Sequence, residues 1–281
     1  MKQLALPKVM LCAATGVAQG ETIAALRECL RHIAFGDAVL LSHDQPASLQ
    51  NEDFRWSEIE KITSREQYSH FICSQLTQYC TRPHVLLIQW DGFVIDPAHW
   101  DDNFLNYDYV GAPWPQFADG YTVGNGGFSL RSQRLLDIVA SNFAPAHPED
   151  VSICRDWRER LEVHHGIRFA PRPVAERFAR ERHQGGEPTF GFHGLFLFPE
   201  VLPPSHWALR LKDMDPALLI GRDGADLLIT LIQRGQASLA WRLFWQRLCR
   251  SRTLNANAAL LFRLLRLQLA SVSKGKGADH L

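Results

Sequence analysis

The chain lacks a Cys-x-x-Cys pair. Its six cysteines, Cys12, Cys29, Cys73, Cys80, Cys154 and Cys249, are scattered with no zinc-ligand spacing, so reduced, partly buried thiols are expected. It lacks any uncharged apolar run approaching the roughly 18 residues that a membrane span requires. At the N-terminus, MKQLALPKVMLCAATG, Pro7 and Lys8 interrupt the apolar stretch before it reaches signal-peptide length, which places the protein in the cytoplasm as an expectation. There is no P-loop, no G-x-S-x-G and no H-E-x-x-H, which argues against NTPase, serine-hydrolase and zincin readings. An excess of charge is missing too, since 30 Lys and Arg balance 30 Asp and Glu.

That balance hides an asymmetry. From Val201 onward twelve Lys and Arg face five Asp and Glu, so residues 1–200 carry an equal and opposite excess of acid. An acidic body repels phosphate backbones, and no nucleic-acid partner is expected. With 281 residues and 46% hydrophobic content, the chain suits one large α/β domain with an appendage.

The first 42 residues read as strand, helix, strand. Val9 to Thr15 is apolar; Ile23, Leu26, Leu30 and Ile33 share a helical face from Glu21 to Ile33; Asp37 to Ser42 is a second buried strand. Such a βαβ unit predicts parallel strands in a mixed, mostly parallel Rossmann-like sheet flanked by helices. Ser64 is placed to cap a helix running to Tyr79, with Phe71, Leu76 and Tyr79 inward. His84 to Trp90 reads as a strand that delivers Asp91 to its C-terminal end, where open α/β sheets bind ligands. Trp100 to Tyr121 is aromatic and turn-rich, and reads as a loop packed over a site. Phe128 and Leu130 alternate as in a strand, Ser132 caps a helix, Glu149 opens another through Leu161, and Phe190 to His193 is a last strand-like element. Beyond a boundary near Pro204 only helical patterns remain, over 225–233, 239–249 and 255–269, with a frayed end from Gly275. The expected domains are therefore 1–203 and 204–281.

Four groups of residues carry candidate chemistry, each with a plainer alternative. Asp91 and His193, each ending a strand, suit metal ligation, although an Asp-Gly pair also makes an ordinary turn and a histidine on an aromatic strand is also a structural hydrogen-bonder. Glu149 and Asp150 begin a helix, where the macrodipole favours acid; adjacent carboxylates point different ways, so one can cap while the other acts as a base. Gly124-Asn125-Gly126-Gly127 is either a tight turn or a wall against which a ligand lies, and it fails the dinucleotide fingerprint at the last glycine. Trp90, Trp100, Tyr107, Tyr109 and Trp114 are dense enough to be core, or to offer a ring to a base or sugar.

The strings IQWDGFV (88–94), YDYVGAPWP (107–115), VGNGGFSLRS (123–132), EDVSICR (149–155), GIRFAP (166–171) and FGFHG (190–194) resemble a bacterial family of glycosyltransferase-like domains found near polysaccharide genes. The likeness extends upstream to the AL-x-x-CL helix at Ala25 and to ITSREQYSHF at Ile62, covering roughly residues 8–200. More distantly, the order of elements is similar to GT-A enzymes such as fringe-like and β-1,4-galactosyl transferases. There an Asp-x-Asp binds Mn²⁺, a Gly-rich segment lines the donor site, an acidic pair begins a helix near the acceptor, and a late His completes the metal shell. The resemblance implies Asp91 and His193 as ligands of Mn²⁺ or Mg²⁺. It implies donor contacts from Thr15, Asp44, Gln89, Trp90, Asp91 and Gly124 to Gly127 including Asn125, and a base or acceptor clamp in Asp150 or Glu149. Gln89 stands where the first Asp of the motif is expected, and a neutral amide adds no charge to the site.

The expectation is a transferase moving a sugar from a nucleotide donor, a UDP-sugar, to a surface-polysaccharide or lipid-linked glycan, with inversion because no residue is an evident nucleophile for double displacement. The rivals are a sugar nucleotidyltransferase, which needs a basic triphosphate loop that Ala13 to Gly20 lacks, and a non-catalytic glycan-binding or scaffold protein that keeps the fold. The Leu-, Trp- and Arg-rich tail reads either as helices packed on one another and on the main domain, or as an amphipathic surface that meets the inner face of the cytoplasmic membrane.

Overall fold

The apolar run from Val9 lies in the middle of a sheet. A computed structural model of the chain describes residues 3–47, 49, 52–182, 187–212, 214–251 and 253–278. In it β1 (Leu4–Ala14) is hydrogen-bonded on both edges, to β2 (Ile33–Ser42) and to β4 (His84–Ile88), and both run parallel to it. A parallel strand covered on both faces is apolar along its length rather than alternating. Val9 to Ala13 are accordingly all fully buried.

The connection between β1 and β2 is α1 (Gln19–His32), which buries Thr22, Ala25, Leu26 and Cys29. Helical periodicity predicted Ile33 as its last inward residue. Instead Ile33 is extended, with φ −133° and ψ 130°, and pairs with Leu4 as the first residue of β2. A β-branched side chain is stiff in a helix and suited to a pleated sheet, so the switch falls there.

β3 (Arg55–Glu58) extends the sheet beyond β2 in parallel. Ser64 caps α2 (Arg65–Ser74), its hydroxyl accepting from the Gln67 N–H at 3.2 Å. The predicted single helix to Tyr79 breaks at Gln75, where φ is −122°, and resumes as a 3₁₀ turn over Leu76–Tyr79 that buries Leu76.

Past β4 come β5 (Gly92–Val94), β6 (Tyr109–Gly111) and β7 (Phe128–Ser132). The main sheet has the order β3-β2-β1-β4-β7-β6, with β7 antiparallel to both of its neighbours. Ser132 caps α3 (Gln133–Asn142), accepting from the Leu135 N–H at 3.0 Å, and Leu135, Leu136 and Val139 are buried as expected. One face of the sheet (Met10, Cys12, Val39, Leu41, Val85, Leu87) joins Phe71, Ile72, Leu76 and Leu136 in a common core.

The helix expected from Glu149 through Leu161 is interrupted. It consists of α4 (Glu149–Val151), a π-helical turn over Ser152–Asp156, and α5 (Arg158–His165), ended by Gly166 in the left-handed region at φ 61°. The Trp157 N–H reaches Ser152 O at 2.8 Å, and such one-turn π-bulges are frequent at functional sites. After α6 (Arg172–Phe178), β8 (Ala179–Arg180) and β9 (Gly191–His193) join β5 in a second sheet, order β5-β9-β8. Cys12, Cys29, Cys73 and Cys154 are buried thiols outside any disulfide, and Cys249 is exposed.

The chain divides into two compact units, Met1–His193 and Gly194–Leu281. Among its described residues the second has helices and no strand: α7 (Phe198–Val201), α8 (Pro204–Lys212), α9 (Arg222–Gln233), α10 (Ala237–Arg250) and α11 (Leu254–Ala278). The last three are those the sequence predicts, but α11 continues to Ala278 where fraying from Gly275 was expected; 279–281 lie outside the described residues. No helix among the described residues is long and apolar enough to cross a membrane.

Candidate active site

The C-terminal ends of three neighbouring strands carry predicted site residues. Thr15 follows β1, Asp44 lies two residues past β2, and Gln89, Trp90 and Asp91 follow β4. Thr15 is buried; its N–H donates to Leu41 O at 2.9 Å, and its hydroxyl accepts from the Ala18 N–H at 3.3 Å. The Asp44 side chain is exposed, while its carbonyl accepts from the Ser42 hydroxyl at 2.9 Å. Gln89 and Trp90 are half-buried.

Asp91 and His193 meet because Gly92 pairs with His193 across β5 and β9. His193 Nε2 lies 3.4 Å from Asp91 Oδ1, and His193 Nδ1 lies 3.4 Å from Glu181 Oε1. Burial disfavours the imidazolium, yet the two carboxylates outweigh it and hold His193 well above the ordinary histidine range. Glu181 has no sequence signature: it stands in a polar run after β8, and only the fold brings it to the ring.

The Gly-rich segment is tied to the same place. Gln89 N–H donates to Gly127 O at 2.8 Å. Asn125 adopts the left-handed region at φ 63°, its Oδ1 accepts from the Gly127 N–H at 3.1 Å, and its Nδ2 lies 3.2 Å from His193 Nδ1. The Asn125 amide is therefore engaged with the protein itself. A Cβ at Gly127 would overlap the His193 ring, one at Gly126 the Glu149 carboxylate, and one at Gly124 the Trp114 indole. The missing side chains thus admit Trp114, Glu149 and His193 against the backbone.

The acidic pair splits into two roles. Glu149 turns inward: its Oε1 is 3.2 Å from Nη2 of Arg131, whose side chain is completely buried, and its Oε2 accepts from the Ser69 hydroxyl at 3.2 Å. Arg131 Nε donates to Ser129 Oγ at 3.0 Å, and its guanidinium lies 5.0 Å from the Tyr109 ring centroid. Asp150 is half-buried; its Oδ2 accepts from the Gly126 N–H at 3.0 Å and its Oδ1 from the Val151 N–H at 2.9 Å. Burial, then the neighbouring Glu149, push the Asp150 carboxyl up to about 6 against the pull of Arg131. A carboxylate titrating near neutrality is suited to take a proton.

The structure therefore groups Asp91, Asn125, Gly126, Gly127, Glu149, Asp150 and His193 around one dipeptide, with Asp150 on the Gly126 amide and His193 against Gly127. Thr15 and Asp44 stand farther along the sheet edge, just past the ends of β1 and β2. Of the aromatic residues, Tyr109 and Trp114 are core, Trp100 packs edge-on against Phe104 and Phe190, and Tyr107 lies beneath Arg168. Arg131 was visible in the sequence as a charge inside an apolar strand, a pattern that demands a buried partner.

A family model described as a protein of unknown function, DUF5672, matches residues 49–193, just over half of the 281. The chain belongs to this family. The DUF5672 region contains the whole cluster and ends on His193, whereas Thr15 and Asp44 fall outside it. No curated protein matches the sequence. Among solved structures, a glycosyltransferase involved in glycosylation of the major capsid of PBCV-1 is 12% identical, with TM-score 0.38, over 66% of this chain and 91% of that one. The apo-form glycosyltransferase GlyE of Streptococcus pneumoniae TIGR4 is 15% identical, with TM-score 0.38, over 68% of this chain and 54% of its own length. An active-site mutant of LgtC is 14% identical, with TM-score 0.36, over 66% of this chain and 86% of that one.

Proposed function

We propose that this DUF5672 member is a glycosyltransferase that moves a sugar from a nucleotide donor to a glycan acceptor by direct displacement. The observation that carries the proposal is the placement of Asp150: a half-buried carboxylate raised to about 6, fixed on the Gly126 amide, one residue from Gly127, which lies against the His193 ring that faces Asp91. This pairs a base with a charged site across one turn of backbone, at the end of the sheet where α/β folds bind ligands. The motif resemblance supports the reaction class, and the nearness of Asp150 to the Asp91–His193 pair supports a base beside the departing diphosphate.

In this mechanism Asp150 takes the proton of the acceptor hydroxyl, the hydroxyl oxygen bonds to the anomeric carbon, and the nucleoside diphosphate leaves with the bonding pair. A single displacement inverts the anomeric centre. Arg131 and Glu149 neutralise each other and hold the helix start that carries Asp150. Glu181 and the Asn125 amide both meet Nδ1 of His193, which leaves Nε2 facing Asp91; a carboxylate on the second ring nitrogen is how metal-ligating imidazoles are commonly oriented.

Asp91, His193 and Glu181 together bear a net negative charge when the imidazole is protonated, which repels a diphosphate. Asp91 would hold a divalent cation together with Nε2 of His193, whose ring would then give up the proton that Asp91 and Glu181 otherwise keep on it. Among the described residues no group of three side chains is arranged to hold a metal. When bound, Mn²⁺ or Mg²⁺ would neutralise the departing diphosphate. We further assign the donor as a UDP-sugar and the acceptor as a surface polysaccharide or its lipid-linked precursor, with the enzyme working in the cytoplasm.

A thermal-shift screen of UDP-, GDP-, CMP- and dTDP-sugars, each with and without Mn²⁺, tests the reading, since a ligand that binds the folded state raises apparent stability by mass action. The expected result is a shift with one nucleotide class that grows with Mn²⁺ and vanishes in Asp91→Ala. No shift with any donor would favour a non-catalytic scaffold.

A further inference from the structure

From Leu227 to Ala278 the sequence contains no Asp or Glu and nine Arg or Lys. Within that stretch α11 has two faces. Asn257, Leu260 and Leu264 are buried, and Asn257 Oδ1 accepts from Arg247 Nε of α10 at 3.0 Å, fixing the rotation of the helix. Turned from this seam, Leu254, Phe262, Leu265 and Leu269 are 77%, 67%, 43% and 71% exposed. At about 100° per residue these four fall within an arc of about 80°. Arg266 and then Arg263, both exposed, come next around the helix. On α10, Trp245 is 60% exposed and is flanked by exposed Arg242 and Arg250.

We infer that the outer face of α10 and α11 docks on an anionic lipid bilayer, with α11 lying in the plane of the interface. Leucine and aromatic side chains enter the acyl boundary while arginines meet the headgroup phosphates, the arrangement by which interfacial helices bind. The helix is not apolar enough to cross. Charge selects the lipid over a second copy of the chain: a two-fold contact through this stripe would set Arg263 and Arg266 near their own copies with no acidic side chain in the whole stretch to pair them. The inference does not depend on the transferase reading.

The test is co-sedimentation of the full chain with vesicles of phosphatidylcholine alone and of phosphatidylcholine with phosphatidylglycerol. Binding is expected only to the anionic vesicles, and to weaken as salt rises. Since each arginine near such a surface is worth about fivefold in partitioning, R263E/R266E should bind about 25-fold more weakly or worse. F262E/L269E should abolish binding while its thermal unfolding matches the wild type, because both side chains are exposed. Equal binding to neutral vesicles, no binding at all, or indifference to both double variants would overturn the inference. So would a solution dimer that F262E/L269E dissociates.

Discussion

Replacing Asp150 with Asn separates stability from activity at the centre of the site. The carboxyl is raised from 3.8 to about 6, chiefly by burial and then by Glu149. In the unfolded chain the same group ionises near 3.8, so between these values the folded state binds the extra proton. The Asp150 contribution therefore falls as pH rises through that window and is flat above it. The ionised form costs roughly 3 kcal/mol at pH 7.5 and roughly 1 kcal/mol at pH 4.5. Asn removes that cost, but its NH₂ must face either the Gly126 or the Val151 amide, and losing one acceptor returns about 1–1.5 kcal/mol. The net expectation is a gain of about 1–2 kcal/mol at pH 7.5, or about 2–8 °C in Tm for a unit of this size, shrinking to nothing or reversing at pH 4.5. Differential scanning fluorimetry at the two pH values measures it. An Asp150→Asn protein that melts lower than wild type by the same amount at both would refute the assignment of a strained, ionised carboxylate.

Arg131→Met or Glu149→Leu alone strands a buried charge and should cost about 3–5 kcal/mol in urea unfolding, whereas the double variant should recover most of it; equal costs in all three would deny the pairing. Gly127→Ala drives a methyl into the His193 ring and should destabilise the fold by about 1–3 kcal/mol, while Gly20→Ala, with open space at its Cβ, should be neutral or stabilising. Asn125→Ala should melt lower than Asn125→Gly by an amount equivalent to about 1–2 kcal/mol, since both lose the amide contacts but only alanine is strained at φ 63°. An alanine variant as stable as the glycine one would count against that backbone geometry.

The sequence exposed the frame wherever one local rule decided the outcome. Val9 to Ala13 is apolar because both sheet faces are covered, and Ser64 and Ser132 are caps because each precedes a helical period. It misplaced details that depend on partners. Ile33 fits a helical face as well as a strand, and only pairing with Leu4 decides. The π-turn after Glu149 and the break at Gln75 leave no mark in a periodicity of apolar residues. At the site, adjacency announced that Glu149 and Asp150 diverge, but not which turns inward; that follows from Arg131, whose strand position directs it beneath the acidic pair. Glu181 could not be foreseen, because it reaches His193 through β8 pairing with β9. The Gly-rich segment reads in sequence as either a tight turn or a wall for a ligand, and neither reading announces that the space at Gly124, Gly126 and Gly127 admits Trp114, Glu149 and His193.

The most direct test of the central claim is nucleoside diphosphate release by wild type and Asp150→Asn, with donor affinity measured on both by calorimetry. The account predicts that Asp150→Asn binds the nucleotide sugar as wild type does while turnover falls about 10²- to 10⁴-fold, the usual contribution of a general base. Equal turnover by the two proteins, or none by the wild type with any nucleotide sugar that it binds, would contradict it.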